Sequence, residues 1–138
     1  MALFDPWDPV LEAITLRLTE ITSGQITRSC HVSCERAGWD LRFRGSRGGL
    51  ETIVRPLARG SAAALSDYQL AIIYGLNFTD GDDDGALNRR LRLRDGGRWS
   101  EQTLREIVLE TLAIARFVLG CASPDDLALH GIELADGS

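Results

Sequence analysis

A chain of 138 residues, 44% hydrophobic and 25% charged, is long enough to bury most of its apolar surface in one domain. No apolar run approaches the length that spans a bilayer. The formal net charge of -5, with all 15 basic residues Arg and none Lys, argues against a dedicated nucleic-acid binder, which carries a dominant basic face.

The opening MALFDPWDPV holds two acids and two prolines where a secretion signal would place bases before an apolar run. A cytoplasmic protein is expected, folded as one domain over 1-138. Asp8 before Pro9 is a helix start, because Asp can cap free amides and Pro pre-sets the first turn. Val10, Leu11, Ile14, Leu18 and Ile21 then share one stripe, and Gly24 ends the element.

From Gln25 to Leu57 the period falls from helical to two. Ile26, Cys30, Val32 and Cys34 alternate with polar residues, and Trp39, Leu41 and Phe43 alternate with Asp40, Arg42 and Arg44. A third strand runs from about Leu50 to Arg55. Three short strands with tight links predict an antiparallel meander, apolar on one face and basic on the other.

Ser66 and Gln69 have the spacing of a capping box opening a short helix that closes at Gly75. Leu76 to Thr79 suggests a brief strand, the acidic DGDDDG a connecting loop, and Asn88 to Arg94 a basic strand. Ser100 caps the last helix, with Trp99 and Leu104 placed as a hydrophobic staple. Leu104, Ile107, Val108, Leu112, Ala115, Val118 and Leu119 form its core face. Leu109, Ala113 and Phe117 form a second apolar stripe on the other side, bordered by Arg105, Glu106, Glu110 and Arg116. Either the segment after Pro124 covers that stripe or a partner does.

Asp80, Asp82, Asp84 and Gly85 match the first half of a calcium loop, but Leu91 stands where a bidentate Glu belongs. A solvated hairpin tip is the stronger reading, and a cation-responsive regulatory domain the alternative. Three cysteines and two histidines raise a zinc reading, yet His31 points away from Cys30 and Cys34 on their strand. The thiols are expected to be small buried hydrophobes. With no Ser or Cys in a nucleophile motif, no phosphate-binding glycine loop and no helical His pair, neither an enzyme nor a cofactor is expected.

The order of elements, together with LSDYQLAIIYGLNF and ETLAIARFVLGCASPDDL, resembles the TY-Chap family, the type III secretion chaperone-like domain. The match rests on Gly75, Leu76 and Phe78 in the first segment, and on Gly120, Pro124 and Leu127 in the second. The resemblance implies an α+β fold in the order α-β-β-β-α-β-β-α, a twisted antiparallel sheet of about five strands flanked by three helices. It further implies a non-enzymatic, often dimeric domain that holds a protein or peptide partner. Leu109, Ala113 and Phe117 are the candidate self-association stripe. Arg42, Arg44, Arg90, Arg92 and Arg94 are the candidate partner face.

Overall fold

The computed structural model describes residues 5–57, 65–81, 86–93 and 98–132. Its fold is α+β, with an open six-stranded antiparallel sheet. The elements run α1 (Asp8–Ile21), β1 (Arg28–Cys34), β2 (Trp39–Ser46), β3 (Gly49–Pro56), α2 (Asp67–Gly75), β4 (Thr79–Asp80), β5 (Leu87–Arg92), α3 (Glu101–Ala113) and β6 (Ala128–His130). Strand order across the sheet is β4-β5-β3-β2-β1-β6. The expected sequence of elements is therefore present, with a sixth strand added at the β1 edge.

Strict alternation divides the sheet into two faces. Cys30, Val32, Leu41, Phe43, Leu50, Val54 and Leu87 point into one hydrophobic cluster, which α1 and α3 close with Ile14, Leu18, Leu104, Val108 and Leu112. The buried hydroxyls of Thr15, Thr22 and Thr111 donate to the carbonyls of Leu11, Leu18 and Ile107 at 2.7, 2.7 and 2.8 Å. Each of these three hydroxyls is thus satisfied by its own helix.

The caps follow the sequence in two helices of three. Ser66 and Gln69 form the reciprocal box at 2.8 and 3.1 Å, and Ser100 accepts from the Thr103 amide at 3.1 Å. Asp8, however, is the first residue of α1 and caps nothing. The cap position falls on Trp7, which makes no side-chain cap bond; upstream of it Asp5 Oδ1 accepts from the Trp7 amide at 2.9 Å and the Asp5 carbonyl from the Asp8 amide at 3.0 Å.

The long final helix does not stay α-helical to Gly120. From Ile114 to Val118 it widens into a π turn, with the Leu119 amide donating to the Ile114 carbonyl at 2.9 Å. Gly120, in the left-handed region at φ 84°, then turns the chain out of the helix. Gln69 ties α2 to this turn. Its Nε2 donates to the Val118 carbonyl at 2.7 Å, while its Oε1 serves the capping box.

Pro124–Asp126 make a single 3₁₀ turn that leads into β6. The described part of the segment after Pro124, to Ile132, therefore extends the sheet and does not lie over the α3 stripe. Phe43 sits with no exposed surface between the sheet and both long helices. Phe43→Ala should lower the unfolding free energy by about 3–5 kcal/mol, read from urea denaturation followed by circular dichroism.

Candidate functional site

Two surfaces left by this packing carry the residues singled out in the sequence. The first is the outer side of the helical layer. Leu109 is 56% and Phe117 76% exposed, with Ala113 half-buried between them. No described segment covers either large side chain.

The π turn governs how that stripe is presented. Four residues of α-helix advance about 40° beyond a full turn, so a stripe spaced by four drifts around the axis. A π turn closes on the fifth residue and winds more slowly. Phe117 therefore falls back toward the line of Leu109. Arg116 lies beside it, its guanidinium 5.1 Å from the centre of the Phe117 ring and 4.9 Å from that of Trp7. The same layer leaves Tyr68 and Ile72 of α2 exposed.

The second surface is the sheet face that no helix among the described residues covers. Register places Arg44 opposite Glu51 and Glu51 opposite Arg90, and Asp40 opposite Arg55. Glu51 is 8% exposed and sits at the centre of its row. Arg44 Nη2 approaches it at 3.4 Å, while Arg90 Nε and Asn88 Nδ2 each donate at 2.9 Å. Burial alone would raise the Glu51 carboxyl, but these hydrogen bonds and the nearby Arg44 and Arg90 charges outweigh it and hold the group low. Asp40, 1% exposed, accepts from Arg55 Nε at 2.9 Å.

The acids on this face are thus sunk beneath the arginines. Arg42, Arg44, Arg55, Arg90 and Arg92 share it with Asp40 and Glu51, five positive charges against two negative. Arg42 lies in the next row, opposite His31 and Ile53, and its Nε is buried without a hydrogen-bond partner among the described residues. Arg94 of the expected set lies outside the described residues.

Arg89 was not singled out by the sequence and lies on the core side of β5. Its side chain is 7% exposed, with Nη1 donating to Glu110 Oε2 at 2.9 Å and to the Leu76 carbonyl at 3.3 Å, over the Phe78 ring at 4.9 Å. It joins β5, α3 and the turn after α2 through one guanidinium. The only local hint was the doubled Arg in NRRLRLR, where strand alternation must send one of the pair inward.

The acidic loop is only partly in view. Asp82, Asp84 and Gly85 lie outside the described residues, while Asp80 Oδ1 accepts from the Tyr74 hydroxyl at 2.5 Å. That bond raises the Tyr74 phenol above its ordinary value. A polar cleft of about 350 Å³ adjoins it, lined by Asn77, Thr79, Asp80, Gly81, Asn88 and Arg90.

The cysteines lie in the core, all three reduced. Burial pushes the Cys30 thiol up to about 11, and burial with the neighbouring Cys34 pushes Cys121 up to about 12. Thiols held protonated in this way are poor nucleophiles and poor metal ligands. Among the described residues no three His, Cys, Asp or Glu side chains cluster for a metal ion. Ser33 Oγ lies 3.1 Å from His130 Nε2, but Ser33 is 6% exposed and the ring of His130 stacks on His31. No helix among the described residues is long and apolar enough to cross a membrane.

No protein-family model, curated protein or solved structure matches the chain.

Because Glu51 has a lowered folded value, its stabilisation is complete above its ordinary value of 4.5 and is lost as the pH falls below that toward the folded value. Glu51→Gln should cost about 1.5–3 kcal/mol at pH 7. It should also flatten the acid limb of stability below pH 4.5, measured by urea titrations across a pH series.

Proposed function

We propose that this chain is a non-enzymatic protein-binding module of the secretion-chaperone-like kind, self-associating through α3 and offering its uncovered sheet face to a protein or peptide partner. The observation that carries the reading is the exposure of Leu109 and Phe117 on one line of the helical layer. An isolated exposed apolar residue is ordinary on a protein surface. Two large ones aligned across a π turn, with Ala113 between them permitting close approach, make a strip that burial against another chain would stabilise.

The arginine face supports the second half of the proposal. On a chain whose formal charge is -5, the outward surplus of positive charge on the sheet favours an acidic protein segment. Arg42, Arg44 and Arg92 supply planar donors suited to carboxylates. The likeness to the TY-Chap family in the capped short helix and the Gly-Pro-Leu exit agrees with this reading. So do the thiols held in the core, which leave no activated nucleophile among them.

Phe117→Glu should convert a dimer to a monomer in light scattering at tens of micromolar protein. Urea stability should stay within about 0.5 kcal/mol of the parent, as for a surface site. A parent chain that is monomeric, or a variant whose mass is unchanged, removes the self-association claim.

A further inference from the structure

The chain has two histidines, one from β1 and one from β6, and the fold brings them together. His31 and His130 are directly opposed in register, their ring centres 4.2 Å apart and their planes within 12° of parallel. Among the described residues β6 pairs with β1 alone, through Ala128, Leu129 and His130. Beyond that ladder, the strand is held by Leu127, Leu129 and Ile132 against the core and by the Ser33 Oγ···His130 Nε2 contact at 3.1 Å. The Arg36 to Asp126 ion pair, at 3.9 Å and largely exposed, adds little.

The surroundings of the stack are cationic. On β2, Arg42 lies opposite His31 and Asp40 one row away; on β3, Arg55 takes the Asp40 carboxylate at 2.9 Å. Two added protons would therefore set four positive charges, His31, His130, Arg42 and Arg55, around one committed carboxylate. Neutral imidazoles stack well, whereas two imidazolium rings face to face repel.

We propose that the His31/His130 stack is a pH latch, keeping β6 docked on β1 while the rings are neutral and releasing the strand when they gain protons. Burial lowers His31 from its ordinary value of 6.5; Asp40 opposes this, and His130, Arg42 and Arg55 reinforce it. A basic group lowered in the docked state takes its proton more readily once undocked. Docking is thus complete above pH 6.5 and weakens as the pH falls below it. His31 contributes at most tenfold per pH unit. A metal-binding role fits the stack less well, since a cation there would meet Arg42 and Arg55.

Amide hydrogen exchange of the full chain, read by NMR at pH 7.5 and 5.0 and corrected for the intrinsic rate, tests the latch. The Leu129 and His130 amides should lose at least tenfold protection at pH 5.0 while amides of β2 and β3 keep theirs. In His130→Gln and His31→Gln the β6 protection should be the same at both pH values. Unchanged protection in the parent, an equal loss in both variants, or a loss shared by β2 and β3 would overturn the proposal. Should Gln at 130 undock β6 outright, the ring-proton titrations of the parent decide. A His31 midpoint below its ordinary 6.5 is expected, and one at or above it refutes the latch.

Discussion

The structure depends on one constraint: a six-stranded sheet with helices enough to cover only one of its faces. Period-two alternation in β1, β2 and β3 sends Cys30, Val32, Leu41, Phe43, Leu50 and Val54 to the covered side. Everything on the other side must then reconcile exposure with close packing of neighbouring rows. The chain does so by sinking two carboxylates, Asp40 and Glu51, and surrounding them with guanidinium groups. Each acid is buried yet paired. The positive face follows from the one-sided architecture.

The helical layer meets the opposite problem. α3 must bury Leu104, Val108 and Leu112 against the sheet and still meet α2 at its far end. The π turn at Ile114–Val118 accommodates both, shifting the phase of the last turn so that Ile114, Ala115 and Val118 face inward. Phe117 is displaced outward by the same shift. Arg89 reinforces this corner from beneath, binding Glu110 of α3 and the Leu76 carbonyl after α2. The exposed stripe is therefore held on a braced element, which suits a contact surface better than a loop would.

Local signals made much of this legible in the sequence. The capping box at Ser66, the Ser100 cap and the alternation of β1 to β3 each act over a few residues, and each appears in the fold. What escaped is non-local or too short for a period to register. Ala128, Leu129 and His130 form a strand only because the β1 edge is there to receive them. No residue in IARFV marks a π turn, and the Gln69 side chain that meets the Val118 carbonyl there comes from α2, far away in sequence. Asp8 next to Pro9 is a sound cap signal, but the helix begins one residue earlier than it implies, with Trp7 at the cap position and Asp5 holding the Trp7 and Asp8 amides. His31 was correctly turned from the cysteines, yet its partner lay near the far end of the chain. The inward turn of Arg89 needed Glu110 to be known as its counter-charge.

The two candidate surfaces lie on opposite sides of the molecule, because the helical layer separates the α3 stripe from the sheet. A second copy seated on Leu109 and Phe117 would leave Arg42, Arg44 and Arg92 open, so self-association and partner binding need not compete. β6 borders only the second of these surfaces. Its register puts His130 at the end of the row that runs through His31 to Arg42 and Ile53. Protons gained by that stack would add charge to the arginine face and loosen its edge strand, leaving the α3 stripe untouched. An acidic occupant of the sheet would meet a more positive surface as the pH falls, and its own negative charge would oppose the repulsion that undocks β6. On the proposed reading, partner binding and strand release would be coupled through the same pair of rings.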